Sequence, residues 1–208
     1  QTCALPILET AVRHLAKLGP IGVHPQEICA ELGISKALVN YHFGSREGLV
    51  LEAMVVGYER YVTTLWQAAE AAGPDPVERL LAWTEAQVQW TAEHQGLAAA
   101  LDFPDATIEK GELPAALQQR LASAGSRNFA NLQLLVLDAR THLKADDPEW
   151  SPDGTEVGLT AAVIGWVTLG LSVWKGGNHL PTRQKVVRDM LPIARVHMRT
   201  LIVEMLSR

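Results

Sequence analysis

Cysteine is almost absent from this chain of 208 residues, with Cys3 and Cys29 the only two. Two thiols cannot build a disulfide framework, so a reduced, cytoplasmic setting is expected and side-chain packing must hold the fold. Positive charge is also short, with 18 Lys+Arg against 23 Asp+Glu and a net charge of −5. That balance excludes a protein that coats nucleic acid through bulk charge, but it leaves room for a small local patch. Aromatic residues make up 6%, and all six tryptophans stand at position 66 or later. Alternating runs bounded by turn signals are missing, which excludes a β-rich fold.

The motifs of several function classes are missing as well. GxSxG, a phosphate-cradling glycine loop and HExxH do not occur, and no nucleophile has an evident base, so no enzyme is expected. His14, His24 and His42 lack partners at ligand spacing, so neither a metal nor a cofactor is expected. No basic segment followed by an apolar run opens the chain. Gln1 to Ile7 reads instead as a translated sequencing-library adapter ahead of an incomplete frame, under which Cys3 is not native. The one long uncharged run, Val157 to Val173, is short for a membrane span and holds Gly158, Gly165 and Gly170. Without a flanking positive cluster it reads as a buried helix, with no membrane partner.

What remains is helical almost throughout. Ile7, Ala11, Leu15 and Leu18 form one stripe that Gly19-Pro20 ends. Pro25 to Leu32 makes a short helix with proline at its first turn. Gly33-Ile34-Ser35 turns the chain, and Ser35 caps a third short helix running to about Phe43. Ser45 caps a long helix, Arg46 to about Ala72. Further helices are expected over 77–93, 114–144, 155–175 and 183–206, and the stretch 94–113 is broken by Gly96, Pro104 and Gly111. The fold class is therefore all-α, with about nine helices.

The front helices have the organisation of a helix-turn-helix. Ile28, Leu32, Ile34, Val39 and Phe43 supply the apolar positions, which leaves Lys36, Ala37, Asn40 and Tyr41 to face outward. In such a motif the second helix enters the major groove. Lys36, Tyr41, His42 and Arg46 are candidates for phosphates, and Asn40 for a base edge. Over Ile7 to Val50 the chain resembles the DNA-binding domain of TetR-type transcriptional regulators. Gly33-Ile34-Ser35, Tyr41-His42-Phe43 and Ser45-Arg46-Glu47-Gly48-Leu49 carry the likeness. Asn40 stands where that family usually has tyrosine, Leu38 where it often has a small polar residue, and no basic arm precedes the first helix. The resemblance implies a three-helix DNA-binding domain over 1–50 and a helical effector-binding and dimerisation domain over 51–208. Ser35, Lys36, Ala37, Asn40, Tyr41, His42 and Arg46 form the candidate DNA-contacting set.

For the back half, Trp83, Gln87, Trp90, Phe103, Phe129 and Trp166 are the candidate wall of an apolar ligand site between long helices. Packing in an ordinary core is the other reading of these residues. The resemblance further implies a homodimer through the last two helices, bound to palindromic operator DNA and released by a small, largely apolar effector. The alternatives are a helical small-molecule-binding protein without DNA-binding activity and, on weaker grounds, a helical enzyme. Charge is distributed to match. Residues 1–50 hold four Lys+Arg and four Glu, and residues 51–208 hold 14 against 19.

Overall fold

A computed structural model describes residues 4–94, 96–98, 114–176 and 196–207, the backbone alone over 169–176. These residues are all-α, and no strand occurs among them. The order is α1 (Ala4–Leu18), a 3₁₀ turn (Pro20–Gly22), α2 (Pro25–Leu32), α3 (Lys36–Phe43), α4 (Arg46–Ala71), α5 (Pro76–Glu93), α6 (Ala115–Leu143) and α7 (Gly154–Gly176). Residues 96–98 and 196–207 are also helical. Most boundaries fall within one residue of those expected. The exception is α1, which starts at Ala4 and carries Pro6 in its first turn, where a missing N–H costs nothing. The expected break over 94–113 lies mostly outside the described residues, as does the first half of the helix expected over 183–206.

The chain packs as two compact units. One is Gln1–Arg60 with Thr91–Ala124, and the other is Tyr61–Trp90 with Gly125–Arg208. In the first unit α1, α2 and α3 pack on one another. Ile7, Ala11 and Leu15 of α1 close over Ile28 of α2, Val39 of α3 and Leu49 of α4, all fully buried. Leu32, Ile34 and Phe43, expected in the same core, are only half-buried.

Ion pairs tie the first part of α4 into this unit, and a close backbone contact joins Gly96 to the end of α1. Arg60 of α4 pairs with Glu9 of α1. Arg120 of α6 holds Glu59 at 2.8 Å and Glu52 at 3.0 Å, one face of α4. Gly96 meets α1 at its end, and a Cβ there would collide with the Leu15 carbonyl oxygen and the Gly19 nitrogen. Only glycine permits that approach.

The second unit has its own core, with Leu65 and Ala69 of α4, Leu80 and Trp83 of α5, Leu135 and Val136 of α6, and Ala161 and Ile164 of α7. Ile202 and Leu206 from 196–207 are buried in it too, and Arg199 pairs with Glu78. The uncharged run within α7 is not buried all round. Val157, Ala161, Ile164 and Thr168 face inward, whereas Leu159, Val163 and Trp166 are exposed. Helical spacing sorts the same apolar run into two faces. Among the described residues no helix is long and apolar enough to cross a membrane.

Candidate nucleic-acid interface

The candidate surface begins with the turn that sets α3. Gly33 closes α2 in the left-handed region, at φ 65°, and its N–H donates to the Cys29 carbonyl. Side chains rarely adopt that conformation, which gives the glycine its reason. Ser35 follows in extended backbone, and its Oγ accepts from the Leu38 N–H at 3.3 Å. One of the free donors of the first turn of α3 is thereby satisfied. At α2 the corresponding His24 makes no such cap, so Pro25 alone pre-sets that start.

With α3 fixed by Val39, its other side faces water. Ser35, Lys36, Ala37, Asn40 and Tyr41 are exposed, Tyr41 to 83%. The side chains of Lys36 and Asn40 make no hydrogen bond or ion pair among the described residues. His42 is half-buried, its ring edge-on to Tyr41 at 5.1 Å and to Phe43 at 6.2 Å between centroids. Six of the seven candidate residues thus lie on or beside one short helix. No acid stands between Gly33 and Arg46, so the face carries the positive charge of Lys36 unopposed along the chain.

Arg46, the seventh, is placed differently. Its guanidinium turns back onto the protein: Nε donates to the Val23 carbonyl at 2.9 Å, and Nη2 to the carbonyls of Pro20 and Ile21 at 2.5 and 3.1 Å. The Pro20 carbonyl also accepts the Val23 N–H, whereas those of Ile21 and Val23 lie past the last bond of the 3₁₀ turn, and a planar five-donor group can serve several carbonyls at once. Arg46 therefore fastens the start of α4 to the link between α1 and α2. Beside it, the Glu47 carboxyl is held below its ordinary value by its own backbone N–H and by the Ser45 hydroxyl.

The ligand-wall candidates separate into three groups. Trp83 and Trp90 lie one above the other on α5 and are buried, Trp90 stacked in a tilted contact on Tyr61 at 4.8 Å. Gln87, on the same face, is buried, and its Oε1 accepts from the Thr168 hydroxyl at 2.8 Å. The indole N–H of Trp83 is buried without a partner among the described residues, as is the Asn128 Oδ1. Buried polar atoms are paired as a rule. Phe129 and Trp166, by contrast, are exposed to 43% and 72%. Phe103 lies outside the described residues.

Two features escaped the sequence reading. Thr168 is the buried partner of Gln87, and a threonine inside an uncharged run gives no sign of that. Arg140 is 3% exposed and holds Glu156 at 2.6 Å, although an arginine near a helix end reads as solvated. Among the described residues no group of three His, Cys, Asp or Glu side chains is placed to hold a metal.

Comparisons agree with this front architecture. Residues 7–53 match the family described as bacterial regulatory proteins, tetR family. No curated protein matches the chain. Among solved structures, a bacterial regulatory protein in the tetR family from Rhodococcus RHA1 is similar with a TM-score of 0.61 and 18% identity, over 99% of this chain and 97% of that one. The TetR family transcriptional regulator PfmR from Thermus thermophilus gives 0.56 and 19%, over 96% of both. The transcriptional regulator FadR from Bacillus subtilis, solved in complex with stearoyl-CoA, gives 0.60 and 13%, over 98% of this chain and 97% of that one. The chain thus has the TetR-family regulator fold, and its front segment carries that family's N-terminal domain.

Proposed function

From that fold and that front segment, we propose that the chain is a ligand-responsive transcriptional regulator, a repressor that binds palindromic operator DNA as a homodimer. The division of labour falls after residue 50, with DNA contact in front and effector binding and dimerisation behind. The observation that carries the reading is the outer face of α3. Lys36, Asn40 and Tyr41 stand exposed there on a helix whose other side is locked by Val39. A short helix held this way fits the major groove, where flanking groups take phosphates and central ones meet base edges.

Dimerisation is supported by the stripe of Leu159, Val163 and Trp166 on α7, together with exposed Val196 and Leu201 in 196–207. Large apolar side chains left exposed on both segments fit an interface, and two-fold symmetry matches a palindromic site. The effector site is assigned to the inward face of α5 at Trp83, Gln87 and Trp90, where the Trp83 indole N–H, without a partner among the described residues, offers a donor to a mostly apolar ligand. The stearoyl-CoA bound to FadR lends support to a largely apolar effector. Effector binding shifts the population toward a spacing of the two recognition helices that no longer meets successive grooves. Helix α4 contributes residues to both packing units and is the lever.

The test is fluorescence anisotropy of the operator complex titrated with a panel of apolar acids, thioesters and sterols. At least one class should release the duplex at fixed salt and shift the emission of wild-type protein more than that of a Trp83→Phe variant. If compounds that bind and stabilise the protein leave operator affinity unchanged, the regulatory reading falls.

A further inference from the structure

Successive residues turn by about 100° around a helix axis, so the four exposed residues of α3 fall in the order Lys36, Asn40, Ala37, Tyr41 across an arc of about 140°. Asn40 and Ala37 therefore occupy the middle of the outward face, and Lys36 and Tyr41 its two flanks. A helix lying in the major groove points the middle of its outer face at the base edges and its flanks at the sugar-phosphate walls. The chemistry follows the same division. The flanks carry an ammonium and a phenol hydroxyl, both suited to phosphate oxygens, and the middle carries a neutral amide and a methyl group.

Building on the DNA-binding reading above, we infer that Asn40 reads an adenine in each operator half-site, with Ala37 against the methyl of a neighbouring thymine. The Asn40 amide has no partner among the described residues, so its acceptor and its donors are available together. In the major groove adenine pairs an acceptor, N7, with a donor, the N6 amino group, in the arrangement that an amide matches twice. Guanine offers two acceptors there, and cytosine and thymine lack the pair. An asparagine side chain is short and needs a close approach, which Ala37 allows by adding no bulk beside it on the face. A thymine C5-methyl can then meet the Ala37 methyl without displacing the amide. Tyrosine, which the resembling family usually has at this position, has no such two-point match.

The experiment uses the full chain and duplexes enriched by it from a random library. One position in each half-site should be adenine throughout. Replacing it with any other base should weaken binding about ten- to hundredfold, and 7-deazaadenine, which removes only N7, should cost a large part of that. Asn40→Ala should make all four bases nearly equal at that position while preferences elsewhere persist, and an unchanged circular dichroism melt should show the variant folded. An Asn40→Ala variant that keeps the wild-type preference at every position would overturn the inference, as would enriched sites without an invariant adenine, while the DNA-binding reading stood. If no duplex is enriched at all, that reading falls and takes the inference with it.

Discussion

Helices α3 and α7 both turn one face outward, and the two faces differ in kind. The outer arc of α3 is polar around a single methyl group, with Lys36, Asn40 and Tyr41 beside Ala37. The outer stripe of α7 is apolar, with Leu159, Val163 and a tryptophan that is 72% exposed. Water solvates the first at no cost, whereas leaving the second uncovered forfeits hydrophobic stabilisation. The same helical spacing therefore presents two chemistries, and they fit the two partners proposed: a charged, hydrated polymer for α3 and a second copy of the chain for α7.

The largest expected effect comes from charging the apolar stripe. A Val163→Glu, Trp166→Glu double variant should raise the dimer dissociation constant at least about a hundredfold, as loss of a central tryptophan anchor does. Equilibrium sedimentation measures it, and a dimer that persists unchanged would break the comparison. Next is the Arg46 clamp at the start of α4. Arg46→Ala should cost about 1–3 kcal/mol in chemical denaturation by removing the guanidinium from the carbonyls of Ile21 and Val23 and from that of Pro20, which keeps only the Val23 N–H. Arg46→Lys should recover only part of it, because an ammonium cannot reproduce the planar fork. A phosphate-contacting Arg46 would instead leave stability alone and reduce the salt dependence of DNA binding.

Lys36→Ala sharpens the other side of that contrast. It should leave the melt unchanged, weaken binding to all duplexes alike and lower the salt slope by about one. A loss confined to one sequence would move Lys36 from the wall to the base edges.

The smallest effect is a pH dependence in the first unit. The Arg60 hydrogen bond holds the Glu9 carboxyl below the ordinary value of 4.5, and Arg13, followed by His14, does the same for Glu31. Depressed carboxyls add stability that is present above 4.5 and lost as pH falls through their lower folded values. Acidification from neutral pH to below 4 should therefore lower the denaturation midpoint slightly more in wild type than in a Glu9→Gln, Glu31→Gln variant. Equal losses would remove these pairs from the account.

Much of the polar face is legible in the sequence because local rules fix it. Gly33 predicts the left-handed turn and Ser35 the cap, and three-and-four spacing places Val39 inward and Asn40 outward. The task of Arg46 is not legible, because its partners at Pro20, Ile21 and Val23 lie more than 20 residues away and are backbone oxygens, which no motif encodes. The apolar stripe escapes for a different reason. An uncharged run such as Val157 to Val173 reads as buried on every side, and only packing shows which flank of α7 the unit covers. Phe129, expected in the ligand wall, stands exposed on α6 for the same reason. The Gln87–Thr168 bond joins residues 81 apart, so a lone glutamine on α5 could only be proposed as a wall residue.

Selection of duplexes from a random library by the full chain asks whether α3 reads DNA as one of a symmetric pair. Enrichment of an inverted repeat is expected, with half-sites about one helical turn, roughly 10 base pairs, apart, and with two copies of the chain bound. Failure to enrich any duplex, or enrichment that survives a Lys36→Ala, Asn40→Ala, Tyr41→Ala variant, would contradict that reading.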